Sequence, residues 1–245
     1  MSITQKVFIK ILKKSKRFIN EQINEINELE RGYIQKKPFL FLKYLSNAYL
    51  KELDFVCRHI HDKSKNIMIT FGRSMIEKWV KLAYITKITS GTERRMLVRY
   101  QFLRIAYRNY KMGHDFSNNK QKKSAEREYN RIRISSDPQL HTISGEMKLE
   151  KFPSIQNMLE DVVGSKRKSE YYSIYQWLCE YVHTGLVQSI YGSNPFVKGR
   201  EYRRFLIIMC AVAAEMIKLL DFHIHGNSVL SNEAKTFLDN HRIVS

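Results

Sequence analysis

Residues 169–192, SEYYSIYQWLCEYVHTGLVQSIYG, set the frame for the whole chain. With tyrosine, isoleucine, tryptophan, leucine and valine spread round the helical wheel, the stretch reads as a helix apolar on every face, and such a helix is stable only in an interior. Its few polar groups then carry the information. Tyr172, Tyr175, Cys179 and His183 fall at steps of three and four, on one stripe of a 3.6-residue period, so His183 is expected inside the protein. A buried helix needs a neighbour of matching character, and residues 67–88 supply one. This second stretch carries Arg73 and Glu77 four apart, facing the same way. Burying either charge unpaired is costly, so Arg73, Glu77 and His183 are expected to meet in one hydrogen-bonded cluster between the two helices, with Tyr175 on the same stripe as His183 completing the site. That cluster is the first candidate catalytic site.

The order Arg-Ser-Met-Ile-Glu in an apolar helix, followed about a hundred residues later by Tyr-Tyr-x-x-Tyr-x-x-Leu-Cys-x-x-x-His-x-Gly, resembles a family of uncharacterised all-helical bacterial proteins. Members carry an arginine and a glutamate four apart and a late tyrosine and histidine, usually with serine where Cys179 stands. The likeness covers residues 67–192 and leaves both ends unaccounted for. It implies an all-α fold and the residue set Arg73, Glu77, Tyr175 and His183. Some members look like components of phage-defence loci, but the family brings no settled activity with it.

With 245 residues, 10 Gly and 4 Pro, the chain can bury a substantial core and is poor in residues that punctuate β structure. The expectation is all-α: a single bundle of about seven or eight helices over residues 1–245. A formal charge of +18 far exceeds what solubility requires and points to a polyanionic partner. Cys57, Cys179 and Cys210 lie far apart in apolar helical contexts with no Cys-x-x-Cys pairing, which suits a reducing cytoplasm and no zinc site. No cofactor or metal is expected. The N-terminus lacks the apolar core and cleavage site of a secretory signal, and the longest apolar run, residues 205–214, is half of what a membrane span needs.

Residues 3–33 read as an amphipathic helix whose first half is basic, with Lys6, Lys10, Lys13, Lys14, Lys16 and Arg17, and whose second half is acidic. The basic half is a solvated face, an arm that contacts phosphates or a basic lip for a partner, with a membrane-surface helix less favoured. A second helix starts at Pro38 and ends near His61; His59 and His61 fall on different faces and suit surface positions better than a shared metal. The helix of Arg73 and Glu77 stops near Ser90-Gly91. From Thr92 the chain carries Arg94, Arg95, Arg99, Arg104, Arg108, Lys122, Lys123, Arg127 and Arg131 among Tyr100, Phe102, Tyr107, Tyr110 and Tyr129. Basic residues interleaved with aromatics suit backbone-phosphate contact plus base stacking, so these residues, with Lys13, Lys14 and Arg17, form the candidate nucleic-acid-binding set.

Within that segment Arg108 and His114 have the spacing of the arginine and histidine motif in the ribonuclease superfamily named for higher-eukaryote and prokaryote nucleotide binding. The resemblance implies that His114 handles the 2′-hydroxyl proton while Arg108 bears phosphate charge, without metal. Arg108 and His114 are therefore a second candidate site. Residues 135–153, marked by Ser135-Ser136-Asp137-Pro138, form an irregular loop carrying His141. A short helix then leads through Gly164 into the 169–192 helix, a long helix spans about 199–222 with His223 and His225 at its end, and Ser231 caps a last one reaching about Asn240.

The functional expectation is a cytoplasmic bacterial protein that interacts with nucleic acid, RNA ahead of DNA, as a defence or toxin-like effector. Two other classes stay open: a non-catalytic module binding nucleic acid or a protein partner in a larger defence complex, and a small-molecule enzyme with its pocket between the central helices.

Overall fold

The computed structural model describes residues 3–30, 37–60, 65–88, 123, 126–127, 152–184, 200–226 and 229–240. The chain divides into two compact units, Met1–Ile88 with Ser154–Ser245, and Thr89–Pro153. Among the described residues all regular structure is helical. The packing below concerns the first unit, built from α1 (Ile3–Glu30), α2 (Lys37–His59), α3 (Lys65–Ala83), α4 (Ile155–Val163), α5 (Ser165–Thr184), α6 (Arg200–His225) and α7 (Asn232–Asn240). No described helix is long and apolar enough to cross a membrane.

The apolar residues of α1 recur at helical spacing, and Ile9, Leu12, Ile19, Ile23 and Ile26 are buried as a stripe. That stripe packs along α6, which runs in the same direction: Cys210 Sγ donates to Phe8 O at 3.5 Å and Gln22 Nε2 to Ile217 O at 3.2 Å. On its other flank α1 meets α2, where Lys16 Nζ reaches Asp54 Oδ1 at 2.9 Å and Arg58 closes on the same carboxylate. Helices α2 and α3 run antiparallel, since Glu52 pairs with Lys78 while Phe55 packs on Phe71. Helix α5 lies antiparallel on α3 through Trp79 and Tyr171, whose ring centroids are 5.2 Å apart.

The helix buried on most of its faces is α6, which touches α1, α3, α5 and α7 and has Phe205, Leu206, Met209, Val212, Ala213, Met216, Ile217 and Leu220 closed off from solvent. This corrects the expectation for the 169–192 stretch over the part whose side chains are described, residues 169–179. Helix α5 is one-sided: Tyr171, Ile174 and Leu178 are buried, whereas Ser169, Glu170, Ser173 and Gln176 are exposed. Tyrosine misleads here, because its ring counts as apolar in a helical wheel while its hydroxyl lets it sit at a wet boundary.

Local signals explain the helix boundaries. Ser154 caps α4 by accepting from Asn157 N at 3.2 Å, and Gly164 ends it at φ 77°, a left-handed conformation that costs a residue with a side chain. Glu160 then accepts from Ser165 and Lys168, tying α4 to the first turn of α5. Ser231 caps α7 and is itself held by buried Asp221, whose carboxylate accepts from Ser231 N at 2.8 Å. At the end of α3 the helix widens into a π turn over Tyr84–Ile88, where the Thr86 hydroxyl donates to Leu82 O and Ala83 O and competes with the backbone ladder.

Gly72 allows the close approach of α3 to α6. A methyl group there would lie 2.4 Å from Cε2 and 2.9 Å from Cζ of Phe205, a ring with no exposed surface of its own. Gly72→Ala should therefore lower stability by about 1–3 kcal/mol, because overpacking outweighs the better helix propensity of alanine. Urea denaturation followed by circular dichroism checks this; an unchanged or raised midpoint would show that Phe205 yields freely.

Candidate functional site

Five polar residues of α3, Arg73, Ser74, Glu77, Lys78 and Lys81, sit at steps of one, three, one and three and so occupy one band of the helix. Helix α2 flanks the band on one side and α5 on the other. On the α5 side Glu77 is the node. Its Oε1 accepts from Arg73 Nε at 3.1 Å and from the Tyr175 hydroxyl at 2.8 Å, and Lys81 Nζ stands 3.9 Å from Oε2. The Arg73 guanidinium also lies over the Tyr175 ring, 5.8 Å from its centroid.

The structure thus joins Arg73, Glu77 and Tyr175 across 98 residues of sequence. It differs from the expected burial: the Arg73 and Glu77 side chains are 24% and 26% exposed, so the node is a wall reached by water. Desolvation, followed by the bond to Glu77, pushes the Tyr175 phenol well above its ordinary range, so this hydroxyl stays protonated and acts as a donor. Burial pulls the Arg73 guanidinium down, but Cys179, Glu77 and Tyr175 together more than offset it and hold the cation firmly charged. Chemically the node offers a carboxylate acceptor, a fixed cation and a phenol donor within one helical turn of α3.

On the α2 side a second trio was not foreseen. Ser74 Oγ donates to Glu52 Oε1 at 2.9 Å, and Lys78 Nζ donates to the same oxygen at 2.7 Å. Glu52 Oε2 is buried and has no hydrogen-bond partner among the described residues. Ser74 and Lys78 repeat the four-residue step of Arg73 and Glu77 one position later, which was the available signal; their acceptor lies on another helix and was not readable from spacing.

His183 lies on the last described turn of α5, two turns beyond Tyr175, and its side chain falls outside the described residues. Arg94, Arg95, Arg99, Arg104, Arg108, His114, Lys122 and Arg131 also lie outside them, as do His61, His141 and the 135–151 part of the irregular loop. Lys123 and Arg127 are helical and exposed, and Lys13, Lys14 and Arg17 are exposed on α1. His59 stacks on Phe55 at 4.2 Å, and His225 faces Asp221 at 3.5 Å, so both have local partners. No group of three or more His, Cys, Asp or Glu among the described residues is placed to hold a metal ion.

No family model, curated protein or solved structure matches this chain.

Proposed function

We propose that the chain is a cytoplasmic nucleic-acid-interacting protein that acts on RNA, in the manner of a defence or toxin-like effector, with the Glu77 node as its working site. The observation that carries the reading is charge: a formal excess of +18, with Lys6, Lys10, Lys13, Lys14, Arg17, Lys123 and Arg127 all exposed. RNA is put ahead of DNA because the node supplies groups for attack by a 2′-hydroxyl. Glu77 would take the 2′-hydroxyl proton as that oxygen bonds to phosphorus and the bond to the 5′-oxygen breaks. Arg73 would bear the phosphate charge, Tyr175 would orient the carboxylate, and His183 would protonate the departing 5′-oxygen.

A second reading, a binding module without turnover, is favoured by one feature: both donors to Glu77 Oε1 are intramolecular, as in a network that fixes helix register. Incubating the protein with end-labelled single-stranded RNA, with and without EDTA, separates the two. Cleavage that survives EDTA and disappears in Glu77→Gln supports the catalytic reading. Saturable binding without product supports the module, and cleavage abolished only in His114→Ala would move the chemistry to Arg108 and His114.

A further inference from the structure

The outward face of α1 is divided by charge. Lys6, Lys10, Lys13, Lys14 and Arg17 recur at steps of four, three, one and three, which places all five on one stripe of the helix about 16 Å long. All five are exposed, and no ion pair joins any of them to an acid among the described residues. Lys16, the one cation that points elsewhere, is taken up by Asp54. The same face then changes sign, with Glu21, Glu25 and Glu28 exposed along the second half. At the basic end the neighbouring α6, whose Cys210 meets Phe8, presents exposed Arg203 and Arg204.

Three occupants could cover such a stripe. A membrane surface needs an apolar face to insert, and that of α1 is buried on α2 and α6, with Val7 as the only large exposed apolar residue on this helix among those described. A second copy could lie antiparallel, setting Lys6, Lys10 and Lys14 against Glu28, Glu25 and Glu21 of that copy. Such an interface would have no apolar centre, and solvent-exposed ion pairs are too weak to meet the cost of association by themselves. A polyanion gains by releasing counterions at each phosphate it brings to a cation and needs no apolar centre.

We infer that the basic half of α1 is a sequence-neutral track for the phosphate backbone of RNA, bounded at the Glu21 end by repulsion from the acidic half. This rests on the proposed nucleic-acid function and names where and how the strand is held. The stripe carries no aromatic side chain on which bases could stack, so it senses phosphates and not base identity. Each cation removed from the track should lower the salt slope of binding by about 0.7 for a single strand.

The test is fluorescence anisotropy of the full chain with labelled 20-mers of oligo(U) and oligo(A), titrated at several salt concentrations. The variant replaces Lys6, Lys10, Lys13, Lys14 and Arg17 by Gln; these residues are exposed, and a circular dichroism melt confirms folding. The expected result is that the parent binds both oligomers within a few fold of one another and that the variant loses up to about 3.5 from the slope. Replacing Glu21, Glu25 and Glu28 by Gln should leave the slope intact and tighten binding at low salt. Parent binding with an unchanged slope in the Lys/Arg variant overturns the track while leaving the nucleic-acid reading in place. No binding by the parent overturns both. Sedimentation showing a dimer that disappears in either variant assigns the face to a second copy instead.

Discussion

Raising the pH from 9 to 11 should strip several kcal/mol from the folded state through two buried thiols. Cys57 on α2 and Cys210 on α6 are each at most 4% exposed and lie in a core shared with the fully buried Tyr49. Burial pushes the Cys57 thiol up from its ordinary 9.0 to about 11, against a smaller opposite pull from Lys16. Cys210 is pushed further, again by burial and then by the field of Cys57. The sign follows from linkage. An unfolded thiol gives up its proton near 9 and a folded one does not, so stability is complete below pH 9 and falls as the pH rises through 11. Cys57 alone accounts for roughly 2–3 kcal/mol, at about 1.4 kcal/mol per pH unit, and Cys210 adds to it. Denaturant melts at pH 8, 9, 10 and 11 measure the slope. Lysine deprotonation also weakens pairs such as Lys16 with Asp54, so the decisive comparison is Cys57→Ala with Cys210→Ala. That variant should start lower at pH 8 and decline less steeply, and a parallel decline would remove the thiols from the explanation.

The helices could be read from the chain because their boundaries are written in local chemistry. Gly164 between α4 and α5, Ser231 ahead of α7 and the apolar recurrence of α1 each act within one turn. Relations between helices were legible only where one residue pair forces them. Arg73 and Glu77 needed a partner from the 169–192 stretch; His183 was the expected one, and Tyr175, on the same stripe, is the one that meets Glu77. The dominance of α6 is signalled by residues 205–214, the longest apolar run of the chain; the 169–192 stretch takes the emphasis instead because tyrosine rings count as apolar on a helical wheel, although small side chains are what let neighbours close in. Gly72 against Phe205 and Glu52 against Ser74 and Lys78 are contacts across helices, with no counterpart in periodicity. The π turn at Tyr84–Ile88 depends on a single threonine hydroxyl competing for carbonyls, which a wheel cannot register.

Glu77→Gln and His183→Ala should remain folded, with midpoints within about 1.5 kcal/mol of the parent, and should lose at least ~10²-fold in RNA cleavage. For Glu77 the stability half of this expectation comes from exposure. A fully buried ion pair that loses one partner costs about 3–5 kcal/mol, because the other charge is stranded. Arg73 and Glu77 are about a quarter exposed, so water can solvate whichever remains, and Lys81 stays within 3.9 Å of the carboxylate. Their pairing should thus contribute no more than the ~1 kcal/mol of a surface bridge, and Tyr175→Phe should cost about as much by removing one hydrogen bond. The activity half requires that Glu77 exchange its intramolecular donors for a substrate hydroxyl. Tyr175→Phe frees one of the two bonds on Oε1, so it should depress cleavage less than Glu77→Gln does and should move the pH dependence of the reaction, which a purely structural role would not. If Glu77→Gln and Arg73→Ala instead melt more than about 3 kcal/mol below the parent and regain activity on cooling, the node is a register lock between α3 and α5. The reacting groups would then have to be sought at Arg108 and His114.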